Sequence, residues 1–133
     1  MTVESPTNPF GKLRDPKAPY MTPEEAAYLT EMYQKAGVIL EYGSGGSTRI
    51  AAAMPGKTVF SVESDAGWAQ SLQAEIDASE PASPATVYHV DIGPVGRWGR
   101  PTSEENWRKF QRYPTQIWGE PFFRHPDLIL IEG

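Results

Sequence analysis

The run Val38-Ile39-Leu40-Glu41 passes through Tyr42 directly into Gly43-Ser44-Gly45-Gly46, and no other stretch constrains the fold as much. Three consecutive apolar residues without polar alternation read as a strand buried on both faces, and such strands belong to parallel sheets covered by helices. The glycine-rich turn leads into a helical stretch, Ser47 to Met54, that Pro55-Gly56 stops. The pattern then repeats. Thr58 to Val62 is a second strand ending at Glu63, and Trp68, Leu72 and Ile76, four apart, mark one face of a helix after it. Ala85 to Val90 is a third strand ending at Asp91, and Asp127 to Ile131 a fourth ending at Glu132. Strands alternating with helices predict an α/β fold with a mostly parallel sheet covered on both sides.

The remaining segments frame that unit. The chain has 133 residues, enough for one domain that buries roughly 65–70% of its unfolded surface. Residues 1–20 carry Pro6, Pro9, Pro16 and Pro19 and read as an irregular arm ahead of a domain spanning 21–133. Thr22-Pro23-Glu24-Glu25 is a capping box with proline at the first helical position. Ala26, Leu29, Met32, Tyr33 and Ala36 follow at helical spacing, and Gly37 is expected to close that helix as a left-handed cap. Residues 92–126 form a long aromatic and basic connection. Within it Thr102-Ser103-Glu104-Glu105 is a second capping box, expected to open a helix with Trp107 and Phe110 in the core. On that helix Glu104–Arg108 and Glu105–Lys109 would pair at i,i+4.

Composition removes several function classes. Cysteine is absent, which excludes disulfides, thiolate metal sites and a cysteine nucleophile. Net charge is −5, and residues 21–91 hold ten acids against three bases, a poor surface for nucleic acid. No apolar run approaches the roughly 20 residues of a membrane span, and the first twenty residues lack a secretory pattern. A cytoplasmic protein without membrane or nucleic-acid partners is expected.

The glycine loop fails two patterns and half-meets a third. A phosphate-cradling loop needs Gly-Lys-Ser/Thr five residues after its first glycine, and a nucleophile elbow would need glycine where Tyr42 stands. The dinucleotide pattern fits Gly43 and Gly45 but meets Thr48 at its third glycine. The acids discriminate further. Glu41, Glu63, Asp91 and Glu132 each end a strand, so in a parallel sheet all four lie along one edge. Such a rim repels phosphates and suits a cationic ligand with ribose hydroxyls, which carboxylates accept from. Glu63 lies twenty residues past Gly43, the spacing of a ribose-binding acid.

Residues 38–47 resemble the first motif of class I S-adenosylmethionine-dependent methyltransferases: an apolar strand, an acid, any residue, then G-x-G-x-G. Ser47 stands at the third glycine. The resemblance spans about residues 22–133. It implies a Rossmann-like three-layer αβα sandwich whose four strands take the order 3-2-1-4, the first part of a family sheet that usually has seven. It therefore implies a chain truncated at its C-terminal side, with the apolar fourth strand an open edge through which copies could self-associate. The implied cofactor is S-adenosylmethionine, bound by Glu41, Gly43, Ser44, Gly45, Gly46, Ser47, Glu63, Ser64, Asp91 and Ile92. Glu63 would hold the ribose hydroxyls and Asp91 the adenine amino group.

Glu132, near the transferred methyl by this resemblance, is the candidate catalytic base. Positioning the ligand is the competing role for the same carboxylate. No metal site is expected, because further ligands would have to come from a later strand. In the long connection Arg97, Trp98 and Arg100, in a Gly/Pro-rich loop after Asp91, are the candidates for binding the methyl acceptor, whose identity the sequence leaves open. His89 reads as structural, and His125 precedes the fourth strand. The expected function is methyl transfer. The alternatives are a nicotinamide-dinucleotide oxidoreductase and a noncatalytic interaction protein that keeps the fold.

Overall fold

The computed structural model of the chain describes residues 18–132. The expected arm at residues 1–17 lies outside the described residues. Helix α1 (Pro23–Lys35) opens with the capping box read from the sequence: the Thr22 hydroxyl accepts from the Glu25 amide, and Glu25 accepts from the Thr22 amide. Strand β1 (Val38–Tyr42) is buried throughout. Helix α2 (Gly46–Ala53) leads to β2 (Thr58–Glu63), and helix α3 (Ala66–Ala78) to β3 (Ala85–His89). After two short helices, α4 (Trp107–Phe110) and α5 (Arg112–Thr115), the chain returns as β4 (Leu128–Ile131).

The sheet is parallel, in the order β3-β2-β1-β4. The chain steps outward from β1 to β2 to β3 and then crosses back to the far side of β1. Strand order therefore reverses between β1 and β4, next to the glycine loop, and such a switch point is where sheets of this kind bind ligands. The architecture is Rossmann-like.

Two apolar clusters sandwich the sheet. One gathers Leu29, Tyr33, Ile39, Val59, Leu72 and Ile76 beneath α1, α2 and α3. The other places Leu40, Phe60, Val62 and Ile117 beneath residues 92–123, with Phe110, Tyr113 and Phe123 packed on it. Successive strand residues alternate between the two faces. Glu41 thus shares the helical face with Ile39, and Tyr42 the other face with Leu40.

Several expectations need correction. Gly37 does not cap α1 in a left-handed turn; Ala36 is the cap, in extended geometry. The Gly37 and Val38 amides instead donate to the Asp127 carboxylate, at 2.9 and 2.8 Å. Asp127 therefore sits just ahead of β4 as an anchor rather than within it. The second capping box opens no helix: α4 begins only at Trp107 and has four residues. Glu104 and Glu105 thus lie outside it, and Lys109 reaches Asp91 instead, at 3.6 Å. Trp107 is not core; it is exposed, with the Arg108 guanidinium over its ring. His89 ends β3 rather than lying within it and is exposed. In β4, Leu128 and Leu130 pack on the first cluster, while Ile129 and Ile131 face outward. Among the described residues β4 pairs with β1 alone. No helix among the described residues is long and apolar enough to cross a membrane.

Candidate functional site

The loop Gly43–Gly46 runs over the C-terminal ends of β1 and β2, held from below, from the side and from above. Gly43 adopts φ +98, and a side chain there would strike the Glu132 backbone carbonyl, so only glycine lets β4 come this close. The Gly43 amide donates to the Val62 carbonyl. The Gly45 amide donates to Thr48 Oγ1 at 3.0 Å, closing the first turn of α2. From the side, Trp68 on α3 donates its indole N–H to the Ser44 carbonyl at 3.0 Å. Asp65 caps α3 by accepting from the Trp68 amide.

The four acids divide into two kinds. Glu41 is fully buried beneath the loop. Its Oε1 accepts from Thr48 at 2.5 Å and Ser61 at 2.8 Å, and its Oε2 accepts from the Tyr33 hydroxyl at 2.5 Å. Burial pushes its carboxyl above the ordinary glutamate range despite these three donors, and burial beside Glu41 raises the Tyr33 phenol as well. The expectation that all four carboxylates line one rim is corrected here. Glu41 lies within β1 at a position whose parity turns it under the helices, where it ties α1, β1, α2 and β2 together.

Glu63, the last residue of β2, lies beside the loop and is buried there. Its Oε1 accepts from the Ser44 amide at 3.2 Å and the Ser44 hydroxyl at 2.5 Å, and its Oε2 from the Asp65 amide at 3.0 Å. Glu132 flanks the loop from β4. The Ser47 hydroxyl, fully buried, reaches its Oε2 at 3.4 Å. Ser47, where the family motif has glycine, thus puts a donor between the loop and Glu132.

The other expected residues fall in two places. Ile92 is buried in the second cluster. Asp91 is exposed and accepts from the Gly93 amide at 2.9 Å; that bond and then the Lys109 ammonium hold its carboxyl below the usual range. Ser64 donates to the Gly99 carbonyl at 2.6 Å, which brings the loop with Arg97, Trp98 and Arg100 over the Glu63 end of the site. Arg97, Trp98 and Arg100 are themselves exposed. The structure therefore brings together Ser44, Glu63, Ser64 and Gly99 on one side of the glycine loop, and Gly43, Ser47 and Glu132 on the other. Among the described residues no group of three or more acids or histidines could hold a metal ion.

Sequence reading missed three contributors. Tyr33 and Ser61 complete the Glu41 network; a tyrosine on a helical core face beside a serine inside a strand is a legible sign of a buried polar partner. Tyr113 packs on Tyr42, with ring centroids 5.6 Å apart. Its hydroxyl reaches the Val62 carbonyl at 3.4 Å, and burial first, then Glu63, Tyr42 and Glu132, drive its phenol upward.

Comparisons with known proteins bear on this arrangement. No family model matches the chain, and no curated protein does. Among solved structures the chain is similar to a methyltransferase-like protein from Silicibacter pomeroyi DSS-3, with 46% sequence identity and a TM-score of 0.85. The match covers 88% of this chain and 61% of that one, so the chain spans less than two thirds of that protein's length. A Rossmann-like sheet with a glycine loop at its switch point is what the chain has in hand, and its similarity is to a methyltransferase-like protein.

Proposed function

We propose that this cradle binds S-adenosylmethionine and that the chain carries the cofactor-binding part of a methyltransferase. The observation that carries the reading is the pair of carboxylates flanking the glycine loop, Glu63 bonded to Ser44 and Glu132 beside Ser47. A diphosphate laid on this loop would meet a carboxylate on either side. A ligand with a ribose diol, an ammonium and a sulfonium meets acceptors and negative charge where it has donors and positive charge. The similarity to a methyltransferase-like protein points the same way.

The residues present fit that ligand. The loop's small residues allow close backbone approach. Glu63 accepts from the ribose hydroxyls in place of Ser44. Asp91, held ionised, can only accept and suits an amino donor. Glu132 accepts from the ammonium, and positioning is its main part. When bound, S-adenosylmethionine supplies an electrophilic methyl group with a neutral thioether as leaving group. The protein then has to position that methyl and keep water from it, tasks for the aromatic wall of Tyr42 and Tyr113.

Titration calorimetry of the full chain with S-adenosylmethionine, S-adenosylhomocysteine and NAD tests the reading. Binding of the first two, with NAD weaker, is expected; tighter NAD would replace it with the oxidoreductase alternative.

A further inference from the structure

Two segments that no motif covers meet above the cradle. The first is the end of the N-terminal arm. The backbone of Ala18 and Pro19 lies directly on Gly46, so closely that a side chain at position 46 would collide with it, and Pro19 is buried there. The second is a small hairpin, closed by a bridge between Val95 and Pro101 and by the Gly96 amide donating to the Arg100 carbonyl at 2.8 Å. Its tip lies on the other side of the loop. Gly99 accepts from Ser64, and a side chain at Gly99 would stand 2.5 Å from Ser64 Oγ and 3.3 Å from Glu63 Oε2. One anchor is thus the loop's last glycine, and the other is Ser64, next to the carboxylate that grips the loop's Ser44.

The rings of Tyr20 and Trp98 join the two, edge to face, with centroids 5.2 Å apart. Both rings are more than half exposed, so they serve this contact rather than the core. Trp98 also holds a left-handed backbone at φ +63, a conformation that costs a non-glycine residue energy and persists where its surroundings require it. The hairpin leaves the body at Gly93, itself at φ +92, a position able to absorb a change in backbone angle.

We infer that residues 18–20 and the hairpin form a two-part clasp over the cofactor cradle, latched by Tyr20 against Trp98, which opens to admit the ligand and closes on it. The inference rests on the cofactor reading above. It gives Trp98 and its neighbours Arg97 and Arg100 a place over the Glu63 end of the cofactor cradle, in addition to any contact with the acceptor. Ligand departure then requires the ring pair to separate, so the clasp governs residence time more than association.

The test is the dissociation rate of S-adenosylhomocysteine from the full chain, measured by stopped flow, together with amide hydrogen exchange at residues 45–48 and 64 without ligand. Tyr20→Ala and Trp98→Ala should each speed dissociation by about three- to tenfold, the worth of an edge-to-face pair. The double variant should be no faster than the quicker single one, because both remove one contact. Tyr20→Phe keeps the ring and should release the ligand more slowly than Tyr20→Ala. Exchange at the named amides should rise in both alanine variants. Unchanged dissociation, or effects that multiply in the double variant, would overturn the clasp. If the parent chain binds neither S-adenosylhomocysteine nor S-adenosylmethionine, the cofactor reading fails; exchange then decides the clasp alone, and unchanged exchange overturns it.

Discussion

Glu41 and Glu63 lie near the ends of adjacent strands, share one face of the sheet, read almost identically in sequence and are both buried, yet their partners differ in kind. Glu41 sits under α2 with three hydroxyls aimed at it, and no ligand can reach it. Glu63, only 6% exposed, is bonded instead to loop groups, the Ser44 amide and hydroxyl and the Asp65 amide, that a ligand can displace. The kind of partner, core hydroxyls against loop groups, separates an acid that builds the site from one that serves it.

The sharpest way to break this contrast is to truncate each acid. Glu41→Ala leaves the hydroxyls of Tyr33, Thr48 and Ser61 without their acceptor. At about 1–3 kcal/mol for each buried group left unsatisfied, stability should fall by about 3 kcal/mol or more in denaturant titration. An unchanged midpoint would mean that these hydroxyls find other partners. Glu63→Ala should cost less, about 1–2 kcal/mol of stability, because its donor residues Ser44 and Asp65 are only partly buried and can turn to water. Its affinity for S-adenosylhomocysteine should weaken by about 1.5–3 kcal/mol, the worth of hydrogen bonds to a charged group. Equal binding by variant and parent would remove Glu63 from the ligand's partners.

Smaller changes sharpen the contrast. Tyr33→Phe deletes one donor to Glu41 and should cost about 1.5 kcal/mol of stability by the same measure, with ligand affinity unaffected. Glu41→Gln keeps one acceptor oxygen and removes the charge. Because burial raises the Glu41 carboxyl, its contribution to stability is full below the ordinary glutamate range and declines as pH rises through the raised value. Relative to Glu41→Gln, the parent should therefore lose stability from about pH 4 upward. Thermal melts across that range check the sign, and a parallel pair of curves would mean that Glu41 titrates normally.

How much of this was legible follows the same division. The strands and the glycine loop could be expected, because β1, that loop and the first capping box are local signals in which pattern and propensity agree; the sheet order came only with the family resemblance. The division of the acids needed the partners that distant segments bring to each, Tyr33 and Ser61 to Glu41 and Ser44 to Glu63. The long connection was legible only as a connection. A four-residue α4 carries too little periodicity to read, and Trp107 looked like core because an aromatic at helical spacing usually is. Asp127 was misplaced for a different reason: its two donors, Gly37 and Val38, lie 90 and 89 residues away, beyond any local pattern.

That separation bears on how the molecule assembles. β1, β2 and β3 are linked in sequence by single helices, whereas β4 must return across the whole long connection before Asp127 can grip the start of β1. Closing the longer loop costs more chain entropy and has fewer local contacts to help it. The expected order is therefore β1 to β3 first and β4 last, visible in pulse-labelled refolding as amides of Val59–Glu63 protected ahead of those of Leu128–Ile131. Glu132 arrives with β4. The cradle gains its second carboxylate in the final step of folding, so a ligand that requires both acids selects for chains that have completed the sheet.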